Sequence, residues 1–98
     1  MELSELRKQL DEIDRDILHL YVRRMDVITR IAAVKTDIGA PVRDPDREAE
    51  ILLRAAKSAG PRYAPYAEAL FRSILAQSRA YQTHLSKDTQ GGEAWTTD

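Results

Sequence analysis

Arg24 and Lys35 are two basic residues within the apolar stripe of a long predicted helix. At about 100° per residue, both point in the direction shared by apolar residues that recur at spacings of three and four, namely Leu6, Leu10, Ile13, Ile17, Leu20, Ile28 and Ile31. Burying a guanidinium or an ammonium group is costly unless an anion compensates its charge. The pattern therefore predicts a nearby anion, either an internal carboxylate such as Asp14 or Glu48 or a bound anionic ligand.

A third cation can join this site only from a second chain. Arg24 and Lys35 are eleven residues apart, about 16 Å along a helix, so both could reach a small molecule between them. Arg7 lies seventeen residues before Arg24, about 25 Å away and about 100° around the helix. Taken alone, Arg7 would more often be a solvated residue beside Asp11, but an antiparallel partner helix would bring it to the site.

Two further groups of polar residues lie on later segments. Asp44, Arg47 and Glu48 stand at the start of a second predicted helix, where free backbone N–H groups favour negative charge. Ser78 and Gln82 are four residues apart on one face of a third helix, and they offer hydrogen bonds without proton transfer. Singly, these would more often be a helix cap and surface residues, so their interpretation depends on Arg24 and Lys35.

These groups must be positioned by helices, because the apolar residues recur with helical spacing and glycine and proline punctuate the chain only at a few points. We predict an all-α fold with one helical domain over residues 1–85 and a polar, disordered tail over residues 86–98. The predicted helices run from Glu2 to Ile38, with Gly39 as the stop; from an Asp44 cap and Pro45 to about Ser58; and from near Tyr63 or Pro65 to about Leu85.

The first helix is too long for a compact monomer. It would extend about 50 Å, whereas a compact globule of this length has a diameter of about 32 Å. Its apolar stripe continues along its whole length, so it needs a cover that one chain cannot supply. We predict an intertwined helical homodimer in which the long helices pack together about a two-fold axis.

Composition excludes several classes of function. The chain has 98 residues, with 15 basic and 16 acidic residues, and no block of like charge that would indicate a nucleic-acid partner. It has no cysteine, and His19 and His84 have no metal-ligand spacing, so we expect no metal. The acidic start lacks the pattern of a signal peptide, and no apolar run is long enough to cross a membrane. We therefore expect a cytoplasmic protein without a membrane partner.

The order of these residues over positions 3 to 85 resembles the all-helical class of chorismate mutases. The matching features are Leu6-Arg7 with Ile13-Asp14, Arg23-Arg24, Lys35, Pro41-Val42-Arg43-Asp44, Asp46-Arg47-Glu48 and Ser78-x-x-x-Gln82. The resemblance implies a free-standing mutase without a fused domain. It also implies a homodimer with two sites, each completed by Arg7 of the other chain.

The resemblance further implies a reaction and residue roles. Chorismate, a dianion, would rearrange to prephenate without an enzyme nucleophile, a cofactor or an obligatory proton transfer. The implied catalytic residues are Lys35, Gln82, Arg24 and Arg7. Lys35 and Gln82 would donate to the ether oxygen, and Arg7 from the partner and Arg24 would bind the carboxylates, with Arg47 and Ser78 in support. Glu48 with the Asp44 backbone would hold the ring hydroxyl.

Two other functions remain open at this point. An isochorismate pyruvate lyase of the same fold would use similar cations, and Arg23-Arg24-Met25-Asp26 has some likeness to that class. Glu48 favours the mutase, because it supplies an acceptor for the hydroxyl of chorismate. A non-enzymatic helical dimerisation module would instead require Arg24 and Lys35 to be neutralised internally, with no cavity between them.

Overall fold

Three α-helices make up the fold in a computed structural model that describes residues 2–90, with side chains as far as Lys87. They are α1 (Leu3–Ile38), α2 (Pro45–Ala59) and α3 (Ala64–Gln90). The described residues contain no strand, and the all-α prediction is confirmed. Helix α3 extends past the expected end near Leu85 because residues 86–90 are polar but contain no helix breaker; the first glycine beyond them is Gly91. The predicted disorder of residues 91–98 lies outside the described residues.

Local signals set the ends of α1 and the start of α2. Gly39 adopts a left-handed conformation with φ of 69°, and its N–H donates to the Thr36 carbonyl at 3.3 Å. The N–H of Ala40 donates to the Lys35 carbonyl at 2.9 Å, which closes the last turn of α1. At the other side of the short connection, Asp44 caps α2 by accepting the Arg47 N–H at 3.1 Å, with a proline in the first turn.

Helix α3 packs against both α1 and α2, and the core is small. Among the described residues, the buried apolar side chains of this core are Ile28, Ala32 and Leu75. The two other buried side chains, Ser78 and Gln82, are polar and lie on the α3 face that turns toward α1 and α2. Burial of polar groups in so small a core indicates a site rather than packing alone.

Much of the apolar stripe of α1 is uncovered in the single chain. The exposed large apolar residues of its N-terminal part include Leu6, Leu10, Ile13, Ile17 and Leu20. The chain measures 56 × 35 × 16 Å, with a radius of gyration of 17.4 Å, compared with about 13 Å for a compact domain of this length. Since 36 residues of α-helix span about 54 Å, α1 alone accounts for the long dimension. No helix in the described part of the chain is both long and apolar enough to cross a bilayer.

Replacing Gly39 tests the turn that ends α1. A Cβ added there would meet no atom within 4 Å, so the penalty of Gly39→Ala comes from the left-handed backbone alone. We expect the free energy of unfolding to fall by about 1 kcal/mol. Gly39→Asn is the matched control and should cost less, because asparagine tolerates this conformation better. Urea unfolding at one fixed protein concentration measures both; equal losses for the two variants would contradict this account.

Candidate active site

A cleft of about 210 Å³ lies between the C-terminal half of α1, the start of α2 and the middle of α3. Seven of the eight predicted site residues line it, and they are Arg24, Lys35, Asp44, Arg47, Glu48, Ser78 and Gln82. The eighth, Arg7, is exposed near the N-terminus of α1 and is not among the residues that line this cleft. The structure thus brings together residues from three helices that are far apart in sequence.

Arg24 is held at the cleft by a neutral partner. Its Nη1 donates to the Ser78 hydroxyl at 2.6 Å, and that hydroxyl donates to the Ile74 carbonyl at 2.9 Å. Burial lowers the pKa of the Arg24 guanidinium; Tyr21 opposes this effect and the charge of Arg47 adds to it. The guanidinium nevertheless stays protonated at physiological pH, so it carries a charge that a bound anion would compensate.

Lys35 is likewise held at the cleft by a neutral partner. Its Nζ donates to the Val42 carbonyl at 2.8 Å, in a part-buried position. Among the side chains that the structure describes, no carboxylate forms an ion pair with Lys35 or Arg24. Within the single chain, therefore, neither Asp14 nor Glu48 neutralises these cations, and both stay available to a ligand.

Glu48 is paired with two arginines that were not predicted as site residues. Arg79 Nη1 donates to Glu48 Oε1 at 2.5 Å, and Arg43 Nε lies 3.9 Å from the same oxygen. The Glu48 side chain is 15% exposed and that of Arg79 is 32% exposed. A helical spacing could have identified Arg79, since it lies four residues after buried Leu75 and three before Gln82.

Gln82 has an unsatisfied amide. The residue is 6% exposed, and its buried Oε1 has no hydrogen-bond partner among the described residues. Leaving a buried polar group without a partner costs about 1–3 kcal/mol, so such groups often mark a place where a ligand or water binds. An amide also offers two N–H donors that need no change of protonation.

The charge and shape of the cleft suit a small dianion with an apolar body. Four basic and two acidic side chains line it, a formal excess of two positive charges; the basic ones are Arg24, Lys35, Arg47 and Arg79. The apolar part of the wall comes from Ile28, Ile31, Val42, Ile51 and Leu75. Arg47 is exposed, and one N–H group of its guanidinium donates to Glu50. The other N–H groups of the guanidinium can donate to a ligand.

Within residues 2–87, no group of three His, Cys, Asp or Glu side chains is arranged to hold a metal ion. What the cleft offers instead is a set of hydrogen-bond donors: guanidinium, ammonium, hydroxyl and amide groups. These groups can bind carboxylates and stabilise a developing negative charge, since they donate from fixed positions in a partly apolar wall.

Comparison with known proteins agrees with this geometry. Residues 6–83 match the family model of chorismate mutase type II. The chain is 31% identical to a chorismate mutase of Methanocaldococcus jannaschii over 91% of this chain and 92% of that protein. It is 44% identical over 51% of its length to a bifunctional chorismate mutase/prephenate dehydratase of Aquifex aeolicus, of which it covers 14%.

A third relative is a 4-amino-4-deoxychorismate mutase of Streptomyces venezuelae, 40% identical over 59% of this chain and 56% of that protein. No solved structure matches the chain at a significant level. The family model covers most of the chain and includes all the residues that line the cleft. The chain therefore belongs to the chorismate mutase type II family.

Proposed function

We propose that the cleft binds chorismate and converts it to prephenate. The observation that carries this proposal is the presence of Arg24 and Lys35, two cations without carboxylate partners, in a partly apolar cleft with two excess positive charges. Chorismate carries two carboxylates on an apolar ring framework, so its charge and shape complement the cleft. Membership of the chorismate mutase type II family supports the same substrate.

The reaction needs positioning and electrostatic stabilisation rather than an enzyme nucleophile. In the rearrangement the ether C–O bond of chorismate breaks while a C–C bond forms, and no atom is gained or lost. The ether oxygen gains negative charge in the transition state. Lys35 and Gln82 are the groups we assign to it, because both line the cleft and an ammonium group and an amide N–H group can both donate hydrogen bonds there.

The remaining groups bind chorismate in a reactive conformation before the rearrangement. Arg24, oriented by Ser78, binds one carboxylate of the substrate, with Arg47 at the edge of the cleft in support. Glu48 accepts the hydrogen bond of the ring hydroxyl, and the backbone at Asp44 helps to hold the same hydroxyl. Holding both carboxylates and the hydroxyl selects the folded conformer in which the two reacting carbons meet, which removes much of the entropic barrier.

The proposed site is completed by a second chain. The apolar stripe of α1 is exposed from Leu6 to Leu20, and burying it against a copy of itself would remove this surface from water. In an antiparallel arrangement of two α1 helices, the N-terminal part of one lies beside the C-terminal part of the other, which carries Arg24 and Lys35. Arg7 then reaches the partner's cleft as a further carboxylate-binding cation, which its own chain cannot place there.

The two alternatives are less consistent with the site. A dimerisation module without activity required internally neutralised cations and no cavity, whereas the cleft is present and Arg24 and Lys35 lack carboxylate partners. An isochorismate pyruvate lyase would use the same cations, but Glu48 provides an acceptor suited to the hydroxyl of chorismate. Incubation with each substrate distinguishes the two: prephenate supports the mutase, and salicylate with pyruvate supports the lyase.

Removing Lys35 tests its assignment to the ether oxygen. We expect Lys35→Ala to lower kcat/KM for chorismate by a factor of about 10² to 10³, since loss of one donor to a developing oxyanion has that effect. Lys57→Ala is the control, because Lys57 lies at the end of α2 away from the cleft lining and should leave the rate unchanged. Consumption of chorismate measures both. A Lys35→Ala protein that is as active as the control would refute the assignment.

Mixing inactive subunits tests the contribution of Arg7 across the dimer. A heterodimer of Arg7→Ala and Lys35→Ala chains contains one intact site, so random exchange should restore about a quarter of the wild-type activity. The matched control mixes Arg24→Ala with Lys35→Ala. These two residues belong to the same chain's cleft, so that mixture should stay inactive. Equal behaviour of the two mixtures, after subunit exchange has been verified by mass spectrometry, would contradict the shared site.

The amide at position 82 predicts a pH profile. Because Gln82 does not titrate, we expect wild-type turnover to show no requirement for a protonated carboxyl between pH 5 and 8. Gln82→Glu should introduce one: a carboxyl donates only when protonated, so kcat/KM of the variant falls as pH rises through the pKa of that group. Steady-state rates across this range measure both proteins. A wild-type rate that is lost with rising pH as one carboxyl deprotonates would overturn the assignment.

A further inference from the structure

Two carboxylates of the described chain line the cleft, Asp44 and Glu48. Of these, only Glu48 forms an ion pair with a guanidinium from another helix. Arg79 reaches it from α3 at 2.5 Å, and exposed Arg43 lies 3.9 Å away. Both contacts use Oε1. The second oxygen, Oε2, makes no hydrogen bond to the described side chains and can accept one from a ligand.

The other carboxylate in the cleft lining has a structural role. Asp44 Oδ1 accepts the Arg47 N–H as the cap of α2, at 3.1 Å. Glu48 is therefore the carboxylate side chain best able to receive a donor of the substrate. This step rests on the proposed function, in which Glu48 accepts the hydroxyl of the chorismate ring.

We propose that Arg79 is a specificity-determining residue that acts through Glu48. An arginine-paired carboxylate is locally neutral but still accepts a hydrogen bond, which suits an uncharged hydroxyl. A carboxylate without such a pair attracts a protonated amine more strongly, because opposite charges at close range interact favourably in a half-buried site. Arg79 thus favours a hydroxyl over an ammonium at this ring position.

The same contact argues against Arg79 as a carboxylate-binding group. Its Nη1 is engaged by Glu48, whereas Arg24 bonds only a hydroxyl and Lys35 only a carbonyl oxygen. Arg24, which has no anionic partner, is therefore a better receptor for a substrate carboxylate than Arg79. The two functions of Arg79 also differ in their consequences: a carboxylate-binding role would affect every dicarboxylate substrate equally, whereas a role through Glu48 depends on the ring substituent.

A pair of substrates that differ only at that substituent tests the proposal. Chorismate and 4-amino-4-deoxychorismate share both carboxylates, but the amine of the second is protonated at neutral pH. The measured quantity is the ratio of kcat/KM for the amine to kcat/KM for the hydroxyl substrate. Any general loss of dianion binding cancels in this ratio. The variants are Arg79→Gln and Arg79→Leu, which remove the charge, and Arg79→Lys, which keeps it.

We expect the ratio to rise about tenfold in Arg79→Gln and Arg79→Leu and to stay near the wild-type value in Arg79→Lys. Arg72→Gln is the matched control, since Arg72 lies on the same helix and pairs with Glu68 outside the cleft; its ratio should not change. A ratio that is the same in wild type and in both charge-removing variants overturns the assignment of Arg79, while mutase activity of the wild type leaves the proposed function intact. Wild-type protein without any turnover of chorismate refutes the proposed function and this assignment with it.

Discussion

The site depends on two cations that the chain itself does not neutralise. Arg24 and Lys35 point into a cleft with apolar walls, and their hydrogen-bond partners are a hydroxyl and a carbonyl oxygen. Two other charged side chains of the same cleft, Glu48 and Arg79, pair with each other. Two part-buried cations without a carboxylate partner therefore lie where a dianionic substrate would bind, and the cost of keeping them there is recovered when that substrate binds.

The length of α1 connects this site to the assembly that we propose. A helix of 36 residues carries Arg24 and Lys35 in its second half, but only that half packs on α3. The buried apolar core of the described chain is correspondingly small. The N-terminal part of α1 has an exposed apolar stripe and also carries Arg7, so one contact between two copies would bury the stripe and complete the cleft.

The sequence was sufficient for the elements and for most of the site, because these follow from local signals. Glycine and proline mark the helix ends, and helical spacing places Ser78 beside Gln82. The end of α3 was misjudged, since polar residues without glycine or proline can continue a helix. The pairing of Arg79 with Glu48 and the Lys35 bond to the Val42 carbonyl were not predicted. Both contacts depend on how the three helices and the connection between α1 and α2 pack around the cleft. The spacing of residues along one helix does not determine that packing.

Arg24 and Lys35 should form a dianion site that two chains share. A crystal structure with a bicyclic dicarboxylate analogue of the transition state would show whether they do. We expect the analogue in the cleft, with one carboxylate on Arg24, its ether oxygen at Lys35 and Gln82, and a guanidinium of Arg7 from the partner chain on the other carboxylate. An analogue bound away from Arg24 and Lys35, or bound there with no second chain contributing to the cleft, would contradict this arrangement.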